Sequence, residues 1–255
     1  MIEKIISPYI SERFLSDVRY REGHLRVINA LPHRKVMGLH TPDMKQLARN
    51  LYIEHGKSII LRFENENPEF LSYEETMIWG FIINMHKCDV DEHFEMVTHF
   101  VPVIDNWAVC DAFCANAKWM AKIDRDSLWN FLLPYFSSSR EFEVRFAIVA
   151  SMCYLLHEDS LSTLLERLDS LNFSSIKSEY ITKKGRPEVA QQGYVQGAEP
   201  YYVRMAVAWL LATSLAKFPS LTREYVCSSH LPDDVVRLYV RKARESFRTK
   251  FVEAL

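Results

Sequence analysis

SSREFEVRFAIVASMCYLL, residues 138–156, opens with Ser138 three residues ahead of Glu141, the spacing of a capping box, and continues as a long apolar run. The same pattern recurs on both sides. Ser72-Tyr73-Glu74-Glu75 is a second capping box, opening a helix expected to reach about Lys87. Thr41-Pro42-Asp43 reads as an N-cap, a proline at N1 and an acid at N2, starting a helix through about His55. Further helices are expected at about 91–100, 106–122, 126–136, 159–171, 200–217, 222–228 and 232–251. Period-3.6 patterns dominate and strict alternation is scarce, so the chain reads as all-α. Helices of this length joined by short connections have the rhythm of stacked helical hairpins, an α-solenoid, although an irregular bundle permits the same pattern. The whole of 1–255 reads as one domain.

One segment breaks the rhythm. Residues 174–199, SSIKSEYITKKGRPEVAQQGYVQGAE, hold three of the seven glycines and read as a long loop or small hairpin. Its polar composition predicts that it buries little and that its removal lowers stability only slightly.

Composition excludes several classes. Hydrophobic content of 48% and charged content of 25% are those of a globular protein. No glycine-rich phosphate loop or dinucleotide fingerprint occurs. No apolar run reaches the length of a membrane span, and MIEKIISPYISER carries no secretory signal. Five cysteines without a CxxC pair suggest reduced thiols in a cytoplasmic protein. The net charge of −2 conceals an uneven distribution. Residues 62–95 hold nine acids against Arg62 and Lys87, and residues 237–250 hold six basic residues against Glu245.

Four places invite chemistry. Trp107 and Asp111, in DNWAVCD, are four apart and share one helical face. Arg145 interrupts an apolar run, where an unpaired charge is costly, so it needs a partner. Trp209 lies in YYVRMAVAWLLATSL with Tyr201, Tyr202 and Arg204. Arg237, Arg241, Arg244 and Arg248 are spaced to form one helical stripe. Each also has a structural reading: core tryptophans, an Asp111–Arg145 ion pair, a solvated basic face. Cys110 and Cys114 lack further ligands at metal-binding spacing and read as packed thiols, so no metal is expected. His24, His33 and His40 read as surface histidines.

Taken in order, these stretches resemble the AlkD-like DNA alkylation-repair glycosylases, from about Arg34 to Arg248. GLHTPDMKQLAR (38–49) resembles the family's Gly-hydrophobic-x-Thr-Pro signature. NWAVCD (106–111) resembles its Trp-x-x-x-Asp site, EVRFAIV (143–149) its site arginine, and YYVRMAVAWLLA (201–212) its second tryptophan. The resemblance implies a superhelix of HEAT-like repeats, a catalytic Asp111, and Trp107, Trp209 and Arg145 around it. It implies a DNA glycosylase that hydrolyses the N-glycosidic bond of cationic N3- or N7-alkylpurines in duplex DNA, without cofactor or metal. DNA would be held without sequence preference by Arg145, Lys183, Lys184, Arg186, Arg204, Arg237, Arg241, Arg244 and Arg248. The N-terminal region matches the family poorly; the candidate for its DNA-gripping element is 10–35, with Arg13, Arg19, Arg21, Arg26, Arg34 and Lys35. The alternatives are a catalytically silent DNA-structure-binding scaffold and a HEAT-like protein-interaction module. A monomer with no membrane association is expected.

Overall fold

A computed structural model describes residues 5–190, 193 and 199–255. The chain divides into two compact units, Met1–Lys122 and Ile123–Leu255. Among the described residues there are thirteen α-helices and one two-stranded hairpin, so the all-α reading holds. No described helix is long and apolar enough to cross a membrane.

The first unit holds α1 (Glu12–Ser16), α2 (Val18–Ile28), α3 (Thr41–His55), α4 (Lys57–Glu64), α5 (Tyr73–Met85), α6 (Val90–Phe100) and α7 (Trp107–Asn116). Alternate helices pack, α3 on α5 and α5 on α7, while α4 and α6 lie against α5. The central helix is α5. Every residue from Tyr73 to Ile83 is buried, which is the pattern of a helix enclosed on all sides. The Ser72–Glu75 capping box forms in full and fixes its start. Trp79 stacks on Phe63 at 5.7 Å and meets Phe100 edge-on at 5.2 Å. Burying each such ring contributes roughly 1.5–3 kcal/mol.

The second unit holds α8 (Arg125–Phe136), α9 (Glu141–Tyr154), α10 (Leu161–Asp169), α11 (Tyr201–Lys217), α12 (Pro219–Ser228) and α13 (Asp233–Glu245). It repeats the alternation, α9 on α11 and α11 on α13, with α8 against α9 and α12 against α11. Here α9 is buried from Val144 through Met152.

Several boundaries differ from expectation. The capping box at Ser138–Glu141 does not form. Helix α9 begins at Glu141 with Arg140 as an uncapped N-cap, because the Glu141 carboxylate is turned inward to accept from Ser178 Oγ and the Tyr202 amide. Helix α3 starts one residue early: His40 is the N-cap and makes no side-chain cap bond. The expected helix 106–122 stops at Asn116, where the Asn116 side chain takes the Ala112 carbonyl and Ala117 leaves helical geometry; a 3-10 turn follows at Lys118–Lys122. The expected helix 232–251 ends at Glu245, so Arg248 lies in a following turn and not on the stripe. Helix α4 has no counterpart among the expected helices, and α1 and α2 both fall in the 10–35 stretch, for which no helix bounds were expected.

The irregular segment contains a hairpin. Strand β1 (Tyr180–Lys183) pairs antiparallel with β2 (Arg186–Val189). Lys184 and Gly185 turn at φ +50° and +73°, the geometry of a two-residue primed turn. The expectation that this segment buries little is overturned by Ile176, Ser178, Tyr180 and Ala190, all buried. Tyr180 meets Tyr202 at 4.9 Å and Phe142 at 6.0 Å, and Ala190 donates to the Glu179 carbonyl. Most of the expected loop at 191–198 lies outside the described residues.

Candidate functional site

Trp107 is the first residue of α7 and Asp111 lies one turn on, so both project from one face. Both are half-buried. The start of α7 is held from two directions. Asn106, the N-cap, is 1% exposed; its amide oxygen accepts from the Ala108 N–H and its Nδ2 donates to the Ile28 carbonyl at 2.8 Å. Trp107 Nε1 donates to that same carbonyl at 3.1 Å. Just before the helix, Asp105 receives Arg34 through Nε at 2.8 Å and Nη2 at 2.7 Å. Arg34 is itself buried and donates through Nη1 to the Pro68 and Leu71 carbonyls. A charge-assisted pair of this kind, satisfied on every side, sets the helix start firmly. Cys110 and Cys114, on the same helix, are fully buried.

The GLHTP stretch is fixed by another buried acid. The Glu74 carboxylate accepts from the amides of Met37, Gly38 and Leu39, the shortest being Gly38 at 2.7 Å. Burial pushes the Glu74 carboxyl above its ordinary range, and these amides pull it back.

In the second unit, Arg145 is 3% exposed on α9. Its Nη1 donates to the Tyr202 carbonyl at 2.6 Å, and the guanidinium lies 5.9 Å from the Tyr202 ring centroid. Glu141, one turn earlier, receives the Tyr202 amide at 2.7 Å. Burial raises the Glu141 carboxyl to about 7, against hydrogen bonds from Ser178, Tyr202 and Val203 and the charge of Arg145. Glu141 and Arg145 thus grip the first turn of α11 by its N–H and C=O groups. Trp209, two turns further along α11, is 37% exposed and is the only exposed residue between Ala206 and Ala212.

The expected DNA-binding cations fall into two groups. Lys183, Lys184 and Arg186 are exposed at the hairpin tip, with Lys183 3.2 Å from Glu188. Arg237, Arg241 and Arg244 are exposed on α13, Arg241 lying 3.6 Å from Glu245. Arg248 is exposed beyond the helix. Arg204, by contrast, is turned inward, paired with Asp234 and lying over Phe173. The N-terminal arginines are also partly drawn in: Arg34 is buried, and Arg21 donates to the Phe14 and Leu15 carbonyls. His24 is half-buried between Phe14 and Tyr20, contrary to the surface reading, while His33 and His40 are exposed.

Sequence reasoning missed Glu74, Glu141, Asn106 and the Arg34–Asp105 pair. Only Glu74 and Glu141 carried a signal, as acids at the heads of apolar helices.

The DNA alkylation repair enzyme family matches residues 17–176, more than half of the chain, and that span includes Trp107, Asp111 and Arg145. The chain belongs to this family. The family's name makes DNA the material acted upon. The helical architecture, with alternate helices packed in sequence, is consistent with its HEAT-like members. Trp209 and the α13 arginines lie beyond the family match. No curated protein and no solved structure matches the chain.

Proposed function

We propose that this family member is a DNA glycosylase that hydrolyses the N-glycosidic bond of cationic N3- or N7-alkylpurines in duplex DNA. The observation that carries the reading is the Trp107–Asp111 pair on one face of α7, half-open to solvent and pinned at its base, inside the family match. An alkylated purine is already cationic and leaves readily. The bond then breaks through an oxocarbenium-like sugar, so a fixed negative charge is what lowers the barrier. Asp111 supplies that charge and orients the attacking water. Trp107 offers its ring face to the cationic nucleotide, a contact contributing about 0.5–2 kcal/mol, and Trp209 presents an exposed ring on α11. Arg145 acts as a positioning residue through its hold on α11. Exposed cations at the hairpin tip and on α13 meet phosphates without reading sequence.

The test is release of free base from duplex DNA carrying N7-methylguanine or N3-methyladenine. The protein releases base, and Asp111→Asn loses at least ~10²-fold of that rate while still binding DNA. Excision by Asp111→Asn at the parent rate would remove the assignment. A second reading, the silent DNA-binding scaffold, is favoured by the inward-turned Arg21 and Arg34, which spend their donors within the protein. It is the outcome if the unaltered protein binds duplex DNA with a steep salt dependence yet releases no base.

A further inference from the structure

Between α5 and α6 the chain turns through residues 86–89, and this turn gathers three unlike ligand groups. A His86 ring nitrogen, Cys88 Sγ and a Glu92 carboxylate oxygen lie within 4.8 Å of one another, all half-buried. A tetrahedral zinc with bonds of about 2.0–2.3 Å sets its ligand atoms roughly 3.3–3.8 Å apart. His86 Nε2 and Glu92 Oε1 already stand at 3.4 Å.

The surroundings hold these groups in the way metal ligands are held. The Tyr52 hydroxyl lies 2.8 Å from His86 Nδ1. A hydroxyl both donates and accepts, so it can take the Nδ1 hydrogen and leave the Nε2 lone pair facing Glu92. His93 Nδ1 lies 3.2 Å from the Asp89 carbonyl, which can only accept, so that nitrogen carries the hydrogen. The same nitrogen is 3.1 Å from Cys88 Sγ, so its one hydrogen is shared between the carbonyl and the sulfur. The His93 ring is fixed by stacking on Trp119 at 4.2 Å. Lys57 Nζ sits 2.5 Å from Glu92 Oε1, so one cation already occupies the carboxylate, and Lys57 is exposed enough to swing into water.

We propose that His86, Cys88 and Glu92 form a binding site for a zinc-class divalent cation, with water completing a four-fold shell. Tyr52 and His93 position the ligands, and Lys57 is the cation displaced. The mixed nitrogen, sulfur and oxygen donors suit zinc or cobalt and disfavour magnesium or calcium, which take oxygen ligands. Binding releases the Cys88 thiol proton to solvent and ties the end of α5 to the first turn of α6. The site is independent of the excision reading.

The experiment uses the full chain with Cys153 and Cys227, both exposed, changed to Ser so that adventitious thiol binding is removed. Cobalt(II) alone is titrated and the cobalt–thiolate charge-transfer band is read. One equivalent binds, the band appears, and zinc abolishes it. Cys88→Ser eliminates the band, and His86→Ala weakens binding at least about tenfold. Lys57→Met tightens it severalfold. Absence of the band in the parent, or its survival in Cys88→Ser, overturns the proposal. Alkylation of Cys88 in the unaltered chain, followed by peptide mapping, needs no variant: zinc slows it at least about tenfold if the site exists, and an unchanged rate rejects it.

Discussion

Gly38 stands at φ +93°, and a β-carbon there would fall 2.2 Å from the Phe14 ring. Only glycine combines that conformation with that proximity. Gly38→Ala is expected to cost about 2–4 kcal/mol through backbone strain and forced movement of Phe14. Urea unfolding measures it, and a loss under about 0.5 kcal/mol would show that the loop relaxes freely. Glu141 makes a different prediction. Its folded value is about 7 against an ordinary 4.5, so its contribution is whole below the ordinary value and is lost as pH rises through 7. The shift corresponds to roughly 3 kcal/mol. Glu92 and Asp159 are held below their ordinary values by Lys57 and Arg125 and lose stability in the opposite direction, on acidification. The difference between the parent and Glu141→Gln isolates the first effect. Relative to the variant, the parent should lose stability between about pH 4 and 8 by roughly that amount. A difference that stays flat with pH would mean that Glu141 is ionised without penalty.

At the scale of the elements, the hairpin separates two roles within a few residues. Tyr180 is fully buried against Phe142 and Tyr202, so Tyr180→Ala is expected to cost about 3–5 kcal/mol. Lys183, Lys184 and Arg186 point into solvent, and changing all three to Gln should move stability by no more than about 0.5 kcal/mol each while weakening DNA affinity. Thermal melts and fluorescence anisotropy on the two variants separate the cases; unchanged affinity in the triple variant leaves the tip without a role in binding. The sequence showed the polar tip and not the buried base, because Tyr180 and Ser178 stand among charged neighbours and their burial depends on partners in α9 and α11. Helices α5 and α9 were legible from their apolar runs. The box at Ser72–Glu75 formed and the one at Ser138–Glu141 did not, because only the second acid has a tertiary donor to satisfy. Helix α2 was illegible for the opposite reason: Ile28 is its only buried residue, so it carries almost no apolar stripe.

Over the whole molecule, the formal charge of −2 leaves any DNA binding to local fields, and α13 presents three exposed arginines. Arg237→Glu, Arg241→Glu and Arg244→Glu together should weaken binding equally for all sequences. They should also flatten the dependence of log affinity on log salt by up to about 3. An unaltered slope would make the stripe a solvated face. The candidate site residues stand out only as an ordered series of short motifs, since no single spacing distinguishes Asp111 from a structural carboxylate. What no motif could show is how the N-terminal region meets α7. Asn106 and Trp107 reach the carbonyl of Ile28, not its side chain. Every amino acid presents that same oxygen. The stretch around residue 28 can therefore change in composition and still anchor the indole, provided its chain path and the buried Arg34 that pairs with Asp105 are kept. Trimming it away would loosen Trp107 itself, so a shortened protein that lost excision would say nothing about whether those first helices ever touched DNA.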